Sequence, residues 1–191
     1  IMSLDPIANY RKLLKLDLSG NSKINNIDAL TDIASLEKTN ISGNKNSSIK
    51  ISDLSPLRNM SKMDTFECAY NSVLKDISIF NDLPTTKDVN FSYCTALEDI
   101  RPLANLPVLE NVNLTGCTRL YDLSPLVGYG PEQGEMSLGG TSLSPSSLFI
   151  FKRVKKFNTF KSDSIYYESM KKRIKILKNY RKKETVKDDE G

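Results

Sequence analysis

Histidine is absent from this 191-residue sequence, and so is tryptophan. Without histidine there is no Ser-His-Asp or Cys-His nucleophile pair, no imidazole general base and no histidine-ligated metal. Cysteine is nearly absent too. Cys68, Cys94 and Cys117 are odd in number, widely spaced and free of any C-x-x-C, which argues against a zinc knuckle or a disulfide framework and for free thiols. Neither G-x-x-x-x-G-K-[ST] nor G-x-G-x-x-G occurs. The nearest glycine cluster, Gly128, Gly130 and Gly134, lacks the phosphate-reading lysine and a preceding strand. No cofactor, no metal and no enzyme activity is therefore expected. Long apolar runs are missing as well: nothing approaches the roughly 18 residues of a membrane helix. The start, Ile1 to Pro6, has neither the basic nor the apolar region of a secretory signal. Location stays open between a bacterial surface or secreted protein and an intracellular one. What is present, 39% hydrophobic and 26% charged residues at a mean hydropathy of -0.37, describes a chain that folds. Its length suits one domain with an appendage.

Self-similarity dominates the rest. The pattern apolar-x-x-apolar-x-apolar-x-x-Asn/Cys appears as Leu13, Leu16, Leu18, Asn21, then as Leu36, Thr39, Ile41, Asn44, and as Met63, Phe66, Cys68, Asn71. Weaker copies follow at Thr86, Val89, Phe91, Cys94, at Leu109, Val112, Leu114, Cys117, and at Gln133, Met136, Leu138, Thr141. The closing residues are 23, 27, 23, 23 and 24 positions apart, a period of 23 with one insertion of four. Between the copies Asp-[Leu/Ile]-x-Pro-Leu recurs from Asp53, Asp99 and Asp122, with degenerate forms around Asp28 and Asp76. Ser3 to Ile7 reads as the tail of a further, partial repeat. One such unit cannot bury its apolar face alone, so the units must stack. In each short strand the alternating apolar residues face the core and the intervening ones face solvent. The prolines at 56, 102 and 125 suit the start of a short helical or 3₁₀ return.

The L-x-x-L-x-L-x-x-N strand and the D-[IL]-x-P-L return resemble leucine-rich repeats of the internalin type over residues 1 to about 148. The short repeat is also similar to that of the intracellular leucine-rich regulator of protein phosphatase 1. The resemblance implies an α/β leucine-rich-repeat solenoid: a curved parallel β-sheet on the concave face, short helical or 3₁₀ returns and a helical C-terminal cap. It also implies protein recognition by a non-enzymatic module. A monomer is expected, with a protein partner whose identity the sequence does not give.

The expected organisation is a solenoid of six strand repeats over 1–148, a cap with a basic amphipathic helix over 149–181, and a flexible tail over 182–191. Candidate partner-binding residues are Glu67, Asp88, Asn90, Asn111 and Asn113 on the solvent side of the strands, and Tyr70 and Tyr93 at the rim. Each has a bland alternative. The strand face holds no aromatic, although hot spots favour Trp, Tyr and Arg, so it also reads as a solvated sheet. Tyr70 and Tyr93, 23 apart, stack on adjacent repeats either as exposed anchors or as covers for the strand ends. The insertion Lys45 to Lys50 is either a specificity loop or a tolerated bulge. Asn21, Asn44 and Asn71 are expected to turn inward and bond buried backbone, with Cys94, Cys117 and Thr141 in the same role. Five Asn-x-Ser/Thr sequons, at Asn40, Asn46, Asn59, Asn90 and Asn113, would expose that face to glycans in a eukaryotic secretory pathway, which favours a bacterial or intracellular setting. Carboxylate chemistry through Glu67 and Asp88 is the one enzymatic route left.

From Phe149 onward 14 Lys/Arg face 6 Asp/Glu, against 13 and 17 before it, so the net +4 hides two parts of opposite sign. Val154, Phe157 and Phe160 read as a last degenerate strand. Tyr166, Met170, Ile174 and Leu177 then recur at helical spacing among lysines and arginines. Three uses remain open: a cap on the last core layer, a docking helix, or electrostatic attachment of the scaffold to anionic membrane or nucleic acid.

Overall fold

A computed structural model describes residues 3–126, 135–143 and 156–158. Seven three-residue strands form one parallel sheet in chain order: β1 Lys15–Asp17, β2 Lys38–Asn40, β3 Thr65–Glu67, β4 Asp88–Asn90, β5 Asn111–Asn113, β6 Glu135–Ser137 and β7 Lys156–Asn158. The register never slips. Leu16, Thr39, Phe66, Val89, Val112, Met136 and Phe157 pair in one column. Strand β7 falls in the stretch read as a last degenerate strand. The expected boundary at 148/149, the basic helix and the tail at 182–191 lie outside the described residues. Among the described residues no helix is long and apolar enough to cross a membrane.

Opposite the sheet run 3₁₀ returns, Asp5–Ile7, Asp28–Leu30, Ser55–Leu57, Ser78–Asp82, Arg101–Asn105 and Ser124–Leu126. The reason for the recurrent Asp is visible in their hydrogen bonds. The amides of Ser55, Ser78, Arg101 and Ser124 each donate to the carboxylate two residues earlier, Asp53, Asp76, Asp99 and Asp122, at 2.7–2.9 Å. Asn26 serves Asp28 in the same way at 2.7 Å. These side chains start the turn, an Asx turn feeding a tight helix, which Pro56, Pro102 and Pro125 then hold in three of the returns. Accepting such bonds favours the ionised carboxylate. The amide of Ser55 pulls Asp53 below its ordinary range, the Arg101 side chain foremost pulls Asp99, and the side chain and amide of Ser124 pull Asp122.

The core lies between sheet and returns in stacked columns. Ile27, Leu54, Ile77, Ile100 and Leu123 form one and Leu30, Leu57, Phe80, Leu103 and Leu126 another, all buried. Under β3 and β4 the core holds a cluster of three rings, with Phe66, Phe80 and Phe91 at centroid separations of 5.5–5.9 Å. Thr39, in the column that the other repeats fill with apolar residues, buries a hydroxyl that has no partner.

The closing residues divide. Asn71 is fully buried and donates to the Ile51 carbonyl at 2.6 Å, as expected. The thiols of Cys94 and Cys117 replace it by donating to the Cys68 and Phe91 carbonyls, each at 3.1 Å. Asn44 departs from the expectation: it is exposed, because the four-residue insertion begins there. Its backbone closes reciprocally on Ser47 at 3.0 Å in both directions, and buried Ile49 pairs with Asn71 instead. Asn21 and Thr141 are only half-buried and bond the Leu18 and Leu138 carbonyls of their own turns.

Candidate functional site

The solvent face of the sheet is built from the first and third residues of each strand, since alternate side chains point to opposite faces. Across β3 to β6 these residues line a shallow concavity of about 370 Å³. Five of the sequence-derived candidates, Glu67, Asp88, Asn90, Asn111 and Asn113, lie in its wall together with Thr65, Glu135 and Ser137. Glu67, Asp88 and Glu135 make the lining acidic, and among the described residues no lysine or arginine lines it. Tyr70 and Tyr93 stand apart at the rim, where β3 and β4 turn away from the sheet.

The hydrogen bonds separate residues that hold the fold from those left to a ligand. At the strand ends Asp17, Asn40, Asn90 and Asn113 each accept the amide two residues on, from Ser19, Ser42, Ser92 and Thr115, at 2.8–3.1 Å. Asn90 and Asn113 therefore close turns with their carbonyl oxygens, and their amide N–H groups are what they offer a ligand. The same contact, from the amide of Ser19, pulls Asp17 below its ordinary range. Asn111 links two strands, donating to Asp88 at 2.6 Å and accepting from the Glu135 amide at 2.9 Å. Glu67 occupies the strand-end position without this job. The Ala69 amide that it would have capped donates instead to the hydroxyl of Ser42, one repeat earlier, at 3.0 Å.

At the rim, Tyr70 and Tyr93 have left-handed backbones, φ 55° and 60°, in the column where Gly20, Gly116 and Gly140 have 74°, 72° and 69°. Left-handed backbone costs a residue with a Cβ roughly 1–2 kcal/mol. The two rings stack at 4.5 Å with 13° between their planes. Such a pair contributes about 0.5–1.5 kcal/mol beyond its buried area, which offsets the strain of one tyrosine and not of both. The ring of Tyr93 rests on Gly116, where a Cβ would lie 2.5 Å from its Cδ1. Beside Tyr70, the insertion folds over Gly43, and Ser48 donates to the Tyr70 carbonyl at 2.9 Å. Sequence reasoning paired the tyrosines but missed their conformation. Its signal was there, tyrosine in a column of glycine. The role of Ser42 had no sequence signal.

All three thiols are buried. Burial pushes Cys117 up to about 12, and the hydrogen bond with Cys68, then burial, raises Cys94 strongly, so both stay protonated. Among the described residues no group of His, Cys, Asp or Glu is placed to hold a metal ion.

No protein-family model and no curated protein matches the chain. Solved structures do. An internalin of Listeria monocytogenes, inlF, matches with a TM-score of 0.68 at 23% identity, over 83% of this chain and 44% of that one. Internalin C2 of the same organism matches with 0.66 at 22% identity, over 84% and 67%. A leucine-rich-repeat protein of Leptospira interrogans matches with 0.58 at 12% identity, over 78% and 38%. The chain thus spans less than half of inlF. In fold it is a leucine-rich-repeat solenoid of the internalin-like kind.

Proposed function

We propose that the chain is a non-enzymatic protein-binding module whose partner seats on the concave sheet face across β3 to β6. The observation that carries this reading is the acidic concavity that gathers Glu67, Asp88, Asn90, Asn111 and Asn113 from three successive strands. Its neighbours in fold, two internalins and another leucine-rich-repeat protein, support an interaction module. The charge of the lining favours a partner segment rich in lysine, arginine or other donors. Such complementarity acts chiefly on association rate and on rejection of acidic competitors.

Affinity capture from lysates, with the intact chain and single variants, tests the reading. Asp88→Lys should abolish capture of the partner, while Lys75→Glu, on an exposed return, should leave it intact. Capture retained by Asp88→Lys overturns the concave-face assignment. Capture that survives Asp88→Lys but vanishes on deleting residues 162–191, and that falls steeply with salt, establishes the alternative of a scaffold attached through its basic segment.

A further inference from the structure

Departures from the repeat rule concentrate at one place. In the repeat of β3 the strand-end residue is Glu67 instead of an amide or carboxylate that caps its own turn, and Ser42 has taken over that job. Three residues on, Tyr70 stands in the glycine column, and the four-residue insertion folds up just before this repeat, with Ser48 bonded to Tyr70. The insertion ties itself in through Ile49 and Ser48, but neither Glu67 nor the tyrosine pair compensates the fold for its departure. Glu67 closes nothing, and the left-handed tyrosines are strained where glycine is free. Local rules broken without a gain in stability mark a functional position.

We infer that Glu67 and the Tyr70–Tyr93 stack form one recognition point, at the rim of the acidic concavity, for an arginine side chain of the protein partner. The inference rests on the concave-face reading above and names the chemistry of its anchor. A guanidinium is planar, always charged, and stacks on aromatic faces while bonding a carboxylate bidentately. Tyr93 has one ring face on Tyr70 and its backbone neighbour Gly116 on the other. Tyr70 stacks on one side only, and no ring or cation meets its other face among the described residues. Glu67 supplies the carboxylate from the same turn. The concavity beyond, with Asp88 in its wall, extends the attraction to a positively charged segment. A lysine ammonium would satisfy the charge without the planar stack, so the site should prefer arginine.

The test uses the full chain with oligo-arginine and oligo-lysine peptides of equal length at about 150 mM salt, where long-range attraction is screened. Affinity is read by calorimetry and contact by the ring-proton resonances of the tyrosines. The wild-type chain should bind oligo-arginine about 5-fold more tightly than oligo-lysine, with shifts at Tyr70 and Tyr93. Tyr70→Gly should erase that preference, and Glu67→Gln should weaken both peptides roughly 5- to 10-fold. Thermal melts check that both variants fold. Equal affinity of the two peptides for the wild-type chain, or an arginine preference unchanged by Tyr70→Gly, overturns the inference. If both rim variants bind as the wild type does while Asp88→Asn/Glu135→Gln binds less, the rim assignment fails and the concave-face reading stands. If that double variant is also unaffected, both fail.

Discussion

The third and fifth repeats share a period, a register and a core, and differ in what their turns are made of. In the fifth, Asn113 caps the turn after β5, Gly116 takes the left-handed position and Cys117 closes the unit from inside. All three work for the fold. In the third, Glu67 caps nothing, Tyr70 is strained where glycine would be free, and the cap comes from Ser42 of another repeat. The apolar layer beneath is fully buried, with Phe66, Phe80 and Phe91 in mutual contact. A solenoid can thus keep one repeat's interior to rule while releasing its rim from it.

Substitutions sharpen that contrast. The largest effect should be in the shared interior. Phe66→Ala in the third repeat and Leu114→Ala in the fifth, both fully buried, should each lower stability by about 3–5 kcal/mol in chemical denaturation. A much smaller loss at Phe66 would mean that the third repeat is loose throughout, and the contrast would dissolve. Next comes the left-handed column. Gly116→Ala forces a Cβ into φ 72° and against the Tyr93 ring and should cost roughly 1–3 kcal/mol. Tyr70→Gly, by contrast, trades a stacked ring for relief of strain and should move stability by less than about 1 kcal/mol.

Smaller again is the difference between strand-end residues. Asn113→Ala removes the acceptor of the Thr115 amide and should cost about 1 kcal/mol, whereas Glu67→Ala should lie within about 0.5 kcal/mol of wild type. Equal losses would show that Glu67 serves the fold after all. The smallest effect is with pH. The folded chain holds Asp17, Asp53, Asp99 and Asp122 below the ordinary 3.8, so their contribution is complete above the unfolded value and is lost as pH falls through the folded one. Stability should be flat above about pH 5 and decline below about pH 4. Hydrogen-exchange protection should fall there at Ser19, capped by Asp17, and persist at Ala69, capped by the neutral Ser42.

The architecture was legible because burial repeats: the positions of Leu16 and Leu18 recur at a period of 23 residues broken by one insertion, and Asp-[Leu/Ile]-x-Pro-Leu marks three of the returns. Asn44 misled because the pattern ends at the residue where the insertion starts, and pattern alone does not tell the last ladder residue from the first loop residue. The candidate site was half legible. Alternation put Asp88, Asn90, Asn111 and Asn113 on one face, as the concavity has them. It did not reveal that Asn90 and Asn113 already spend their oxygens on their own turns. Nor could it reveal that Ser42 reaches Ala69, 27 residues on, since that contact exists only once the repeats are stacked.

The strand order β1 to β7 follows the chain, so each unit leans only on the one before and the one after. Such an array has no single unfolding event built into it; its stability sums over units and the contacts between neighbours. The phenylalanine cluster binds the third and fourth units to each other in the middle. On warming, units without such a cluster should unravel first, and the first signal of melting should precede any loss of the Tyr70–Tyr93 rim, which belongs to the two units the rings hold together.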